Sequence, residues 1–362
     1  MLAQSLILKS VTMKNARPHL APGIPVLWRD AAHIQIGLHP LRSVIVDSDL
    51  GGALLELCDG QRTFDAIVGE LVREGSSKEH CEQLLTLIMR NRLMRDLLSN
   101  LAAPAGKELA EISRTDAPRI LMQRELTHQN ENSSQRHRTA VHIHGLGRLG
   151  MTITSALASA GFIHLRVHDS ALITAQDVTT FGASRIDIGN RRDFVALQII
   201  ERVQAGVTSR NHAMKHKLPH ELHVYVPDAV ADYPWFDFAL GQKCMSRDLP
   251  HLVATVAHQS ALVTSVITPG VTGCLRCLHL HNSDHDRTWP LINAQLVGRS
   301  APDLAPIGLV VQTALLVVET VTRWVDEGTT DDNQIMRFTW PSQRTGVMLN
   351  RPHPDCGCTW QQ

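Results

Sequence analysis

Ala140-Val141-His142-Ile143-His144-Gly145-Leu146-Gly147-Arg148-Leu149-Gly150 is the stretch that decides the fold. A β-prone run passes directly into G-x-G-x-x-G and then into an apolar-periodic segment that closes at Ala160-Gly161, so strand, glycine turn and helix follow without a break. A second strand, Ile163 to His168, ends at Asp169. Each glycine has its own duty in such a βαβ unit. Gly145 permits the tight turn, Gly147 lets a phosphate approach the backbone, and Gly150 lets helix and strand pack closely. The helix start presents free N–H groups, and Asp169 stands where an acid would take a ribose hydroxyl. The same glycines serve turn and packing with no ligand present, so retention of a nucleotide is a separate question.

Outward from this unit, 362 residues with 43% hydrophobic content suffice for two domains and a sizeable core. Thirty-five basic residues balance thirty-five acidic ones, which argues against nucleic acid or an acidic membrane as partner. Twenty histidines are scattered through every segment, and few of them are expected to matter. The apolar stretch from Ala305 to Val325 carries Glu319 and Arg323 and reads as a buried amphipathic helix rather than a membrane span. The start places its apolar patch before Lys9, the reverse of a secretory signal, so the expected compartment is the cytoplasm.

Toward the N-terminus, Val26-Leu27-Trp28, Ile34-Gln35-Ile36-Gly37 and Ser43-Val44-Ile45-Val46 alternate with turn signals and predict a three-stranded meander. Three helices follow, near 50–57, 64–73 (with Thr63 as N-cap) and 78–98. This gives a small α+β module over 20–98. The polar run His128 to Gln135 marks a linker over 99–138, and a Rossmann-like α/β domain occupies 139–362.

Seven cysteines divide unevenly. Cys58, Cys81 and Cys244 stand alone, whereas Cys274-x-x-Cys277 follows Pro269-Gly270 and Cys356-x-Cys358 follows Pro352-His353-Pro354. Two thiol pairs on tight knuckles predict a closed tetrahedral zinc site, structural because no position is left for water.

At this point the chain resembles a known family. The runs Val226-Pro227-Asp228, Pro250-His251-Leu252, Val266 to His281, Asp286 to Pro290 and His353 to Cys358 are similar to the ThiF-like branch associated with azoline-containing ribosomal peptides, thiopeptides included. The resemblance implies descent from adenylating enzymes and partnership with a separate YcaO cyclodehydratase. The N-terminal module, with Leu57 to Thr63, resembles the PqqD-like winged-helix element that recognises leader peptides. It implies that a precursor's leader adds a strand at Ser43, Val44, Ile45, Val46 and Asp47 and lies along the third helix. There Leu84, Leu87 and Ile88 face the groove, and Arg90, Arg92 and Arg95 stand near an acidic leader. Residue by residue, the leucines equally suit a core and the arginines a solvated face.

Adenylating relatives also keep an Asn/Arg pair and a lysine for the triphosphate, and an aspartate for magnesium. Here the stretch 170–185 has no N-x-x-R, and no lysine occurs from Glu108 to Met214. Arg185, Arg191 or Arg192 could substitute in charge, and Asp228 or Asp232 could hold magnesium. Gly145, Gly147, Gly150, Asp169 and Asp228 are thus expected to be a vestigial or weak nucleotide site, with ATP and magnesium not essential. Cys244 reads as a small buried side chain. The expectation is a binding and scaffolding partner, a homodimer being possible. The alternatives are an ATP-dependent enzyme adenylating a peptide carboxylate and, more weakly, a dinucleotide oxidoreductase.

Overall fold

The computed structural model describes residues 15–21, 23–91, 93–96, 135–204, 218–228, 235, 237–299, 301, 303–328, 333–340 and 345–359. Arg92, Asp232, most of the 99–138 segment and the chain start with Lys9 lie outside them. The chain divides into two compact units, residues 1–104 and 105–362.

The first unit holds β1 (Pro18–Leu20), β2 (Val26–Trp28), β3 (His33–Ile36) and β4 (Val44–Asp47), then α1 (Ser48–Leu57), α2 (Phe64–Arg73), α3 (Lys78–Arg90) and β5 (Met94–Asp96). Strands β2, β3 and β4 form an antiparallel meander in that order, leaving β4 at an edge. Thr63 caps α2 through its hydroxyl, which accepts from Ala66 N–H at 3.3 Å. Ile34, Ile36, Val44 and Val46 pack from the sheet onto Leu54, Ile67, Leu71, Leu85 and Ile88. The third helix is shorter than the sequence suggested. It stops at Arg90, because Leu93 turns inward and Met94–Asp96 pair with Pro18–Leu20 in a two-stranded ribbon.

The second unit opens with α4 (Gln135–Arg138), β6 (Thr139–His144), α5 (Arg148–Ser159) and β7 (Leu165–His168). There follow α6 (Arg192–Val203), β8 (His220–Tyr225), α7 (Gln242–Met245), β9 (His251–Val256) and β10 (Ser260–Thr264). It closes with α8 (Leu275–His285), α9 (Trp289–Leu296), α10 (Ile307–Glu327), β11 (Gln334–Thr339) and β12 (Thr345–Leu349). The seven strands form one mixed sheet, ordered β12-β11-β10-β9-β8-β6-β7. Pairs from β7 through β9 are parallel and those from β9 through β12 antiparallel. One face packs Val141, Ile143, Leu222 and Val224 against Leu157 of α5, Ile199 of α6, and Leu309, Ala314 and Val317 of α10. Helix α10 is long and apolar enough to cross a membrane by length and composition, and it lies against this core.

The unit starts earlier than Thr139. Arg136 of α4 makes a two-pronged ion pair with Asp326 of α10 (2.9 and 2.5 Å), donates to Ala160 O and lies over the Phe162 ring.

His251 of β9 is fully buried, with Nδ1 bonded to Leu249 O at 3.0 Å and Nε2 without a partner among the described residues. Burial pushes its pKa down to about 4, against about 6.5 in an unfolded chain. The neutral ring's stabilisation is therefore complete above pH 6.5 and is lost as pH falls toward 4, by about 3 kcal/mol at most. Urea midpoints measured from pH 7.5 to 4 should fall, and His251→Leu should flatten that slope; an unchanged slope would contradict the assignment.

Candidate functional site

Strand β6 lies between β7 and β8, so the chain reverses direction across the sheet at the C-terminal ends of β6 and β8, where open α/β sheets form their crevice. Gly145 follows β6 with φ of +93°, and a Cβ there would overlap the carbonyl oxygen of Val226, the residue after β8. A Cβ on Gly150 would overlap the carbonyl oxygen of Gly145. The turn is therefore required by packing alone.

What faces Gly147 is a cage of charged side chains. Arg192, first residue of α6, reaches Asp177 at 2.8 Å, Asp169 at 3.2 Å and Asp228 at 3.2 Å. A Cβ placed on Gly147 would lie 3.1 Å from Asp228 Oδ1, 3.8 Å from Asp177 Oδ1 and 3.9 Å from an Arg192 nitrogen. The space a phosphate would enter thus holds three carboxylates and one guanidinium. Asp169 is also committed to the chain, its oxygens accepting from Leu146 N–H at 2.8 Å and Ala171 N–H at 2.9 Å. The three carboxylates push the Arg192 pKa upward against the opposing effect of burial. Arg191 is engaged by Asp193, and Arg148 at the start of α5 by Asp303 in two-pronged fashion. Arg185 is exposed on a neighbouring turn. Of the three arginines considered from sequence, Arg192 is the one that reaches the glycine turn, and it arrives already neutralised. The one guanidinium at the turn is thus shared among three carboxylates, whereas developing phosphoryl charge is stabilised by cations free to meet it.

The four paired cysteines come together. Cys274 caps the N-terminus of α8 and Cys277 sits in its first turn, while Cys356 and Cys358 flank Gly357 at φ of +67°. The sulfur separations are 3.8 Å for 274–277, 3.5 Å for 274–356 and 3.3 Å for 277–358. Four sulfurs around zinc at about 2.3 Å sit about 3.8 Å apart, so the set fits a tetrahedral ion. The surroundings are built for it. His353 N–H donates to Cys277 Sγ at 3.3 Å, and its ring bonds Asp284 at 2.8 Å through Nε2 and accepts from Asp355 N–H at 3.0 Å. Asn350 Nδ2 donates to Gly273 O at 2.8 Å, seating the second pair against the first. Donated hydrogen bonds pull the Cys277 thiol down, while its pairing with Cys277 and burial push Cys274 up. The remaining cysteines are buried. Cys58 is pushed up to about 12 by desolvation, and Cys244 is raised by burial beside Tyr225 O–H, at 3.3 Å.

In the first unit, β4 pairs with β3 alone among the described residues. Val44 and Val46 point into the core, whereas Ile45, 51% exposed, and Asp47 point outward. Ser43 precedes the strand and is half-buried. On α3, Leu84 and Ile88 belong to the core, so Leu87, 46% exposed, is the outward apolar residue of the three. Arg90 is exposed. A cluster the sequence reading passed over lies on the sheet of the second unit, where His142, His144, His168 and His223 stack in two rows. Alternation of His142 and His144 within one strand was the available signal.

The profile of the ThiF family matches residues 122–358. Among solved structures the chain resembles E. coli MccB with MccA (TM-score 0.64, 14% identity, 94% of this chain and 99% of that chain). It resembles E. coli MccB with ATP similarly (TM-score 0.61, 16% identity, 94% and 99%). A heterocyclase in complex with substrate and cofactor is matched at TM-score 0.52 and 15% identity, over 95% of this chain and 39% of that one. At such identities the likeness is one of fold. No curated protein sequence matches the chain.

Proposed function

The chain belongs to the ThiF family, and on that premise we propose that it captures the leader of a ribosomally made precursor peptide and presents the core region to a separate YcaO cyclodehydratase. That partner would use ATP to convert Cys, Ser or Thr to azolines. The observation that carries the reading is the edge of β4, left without a partner strand among the described residues, with Ile45 exposed beside it. An edge strand offers a row of main-chain donors and acceptors, and an extended peptide gains hydrogen bonds by lying along it. Leu87 and Arg90 on α3 would add an apolar contact and a positive charge suited to an acidic leader. Leu84 and Ile88 would hold α3 in place from within the core. The four cysteines would take structural zinc, fastening residues 356–358 to the start of α8.

The charge cage at Gly147 supports a role without independent adenylation. One guanidinium already shared by three carboxylates cannot stabilise a developing phosphoryl charge. The second reading, adenylation of a peptide carboxylate, draws on the retained glycine turn and on the likeness to MccB with ATP.

Two measurements separate them. Fluorescence polarisation of a labelled leader should give saturable binding to the full chain. Ile45→Asp should weaken it at least tenfold, since a charge would enter the strand-addition surface without touching the core. Equal affinity in the variant, or in a chain lacking residues 1–98, would end the leader-capture reading. Titration with Mg-ATP should release no heat, and precursor-dependent pyrophosphate exchange should stay at background; robust exchange would establish adenylation instead.

A further inference from the structure

The histidine rows on the second unit's sheet have a specific geometry. His142 and His144 alternate along β6 and so share a face, and the parallel register sets His142 opposite His223 and His144 opposite His168. The rings stack across the strands, with centroids 4.5 Å apart for 142–223 and 4.6 Å for 144–168. Diagonal hydrogen bonds tie the rows together. His142 Nδ1 meets His168 Nε2 at 3.0 Å, and His144 Nε2 meets His223 Nδ1 at 2.9 Å.

This arrangement leaves two nitrogens unsatisfied. Nε2 of His142 and Nε2 of His223 are both buried with no hydrogen-bond partner among the described residues. Leaving a buried ring nitrogen without a partner is destabilising, so a pair of them side by side in a half-buried cluster calls for something that accepts lone pairs. One ligand atom from each of His142, His144 and His223 lies within 4.8 Å of the others.

We propose that His142, His144 and His223 form a site for a late transition-metal cation, Zn2+ or Ni2+, independent of the four-cysteine centre. Closing on an ion at about 2.0–2.1 Å brings nitrogens about 3.4 Å apart, a movement of roughly an ångström for each ring. His168 would serve behind the ligands by accepting the proton of His142 Nδ1, which puts that ring's lone pair on Nε2. Imidazole donors select late first-row ions over magnesium or calcium. Three imidazoles leave a fourth position for water or a ligand, in contrast to the closed cysteine set.

The test uses tag-free full-length protein stripped of loosely held metal with a mild chelator until one equivalent of zinc remains, then titrated with Ni2+ alone and followed by calorimetry. One added equivalent is expected, with affinity lowered at least fiftyfold by His142→Gln/His223→Gln and by His144→Gln alone. The single variant changes a half-exposed side chain, which keeps the result interpretable should the double variant unfold. Crystals soaked in Ni2+ should give an anomalous peak among the three rings. No added equivalent, an affinity indifferent to these substitutions, or a peak elsewhere would overturn the assignment.

Discussion

Cys356→Ser, made in a His144→Gln background so that only the four-cysteine centre is counted, is expected to reduce zinc from one equivalent per chain to less than about a tenth of an equivalent and to unfold the C-terminal half of the sheet well below the melting temperature of the His144→Gln parent. Thiolate ligands are cooperative: once one is replaced by a hydroxyl, the other three hold the ion in an open, exchangeable site. Structural zinc supplies roughly 10–16 kcal/mol in small domains. Losing even a third of that lowers the melting temperature by about 7–21 °C in a domain of this size, at about 2–4 °C per kcal/mol. The ion would also join two segments that otherwise meet through Asn350 with Gly273 and Cys274, His353 with Cys277 and Asp284, and His281 with Arg351. Elemental analysis with calorimetric melting of both proteins checks it. Full zinc content in the variant would show that the sulfurs meet for another reason.

Arg136→Met should cost about 3–5 kcal/mol. The two partners are almost wholly buried, with side chains 5% and 7% exposed, and removing the guanidinium strands the Asp326 carboxylate without a counter-charge. The same change deletes the donor to Ala160 O at the end of α5 and the contact over Phe162. The double variant Arg136→Met/Asp326→Leu should recover most of the loss, because an apolar pair of similar volume carries no desolvation penalty. Urea denaturation of the four proteins in a double-mutant cycle checks this, and an additive result would rule out the pair as the source.

Much of the site could be read from the chain because the chemistry was local in sequence. Gly145, Gly147 and Gly150 sit in one turn, and Cys274/Cys277 and Cys356/Cys358 each occupy one knuckle, so spacing alone carried the prediction. What escaped was built by register between distant segments. His142 and His223 are neighbours only because β6 and β8 pair, and nothing in either strand announces the other. The end of α3 was misplaced for a similar reason: Met94–Asp96 suit a helix by composition, and only pairing with Pro18–Leu20 makes them a strand. Arg192 was among the candidate cations, but that it comes encircled by Asp169, Asp177 and Asp228 required the folded chain. Tertiary context decides such cases over propensity.

With zinc bound, the divided cysteine centre would also serve as a completion check on folding. Its two halves are separated by the stretch that builds α9, α10, β11 and β12, so the four sulfurs meet only when those elements have taken their final register. A chain that pairs β11 or β12 one residue out of step would hold two separate dithiols, each open to oxidation, rather than one sealed tetrahedron. Metal capture would thus be a proofreading step, with mispaired chains left chemically marked as unfinished.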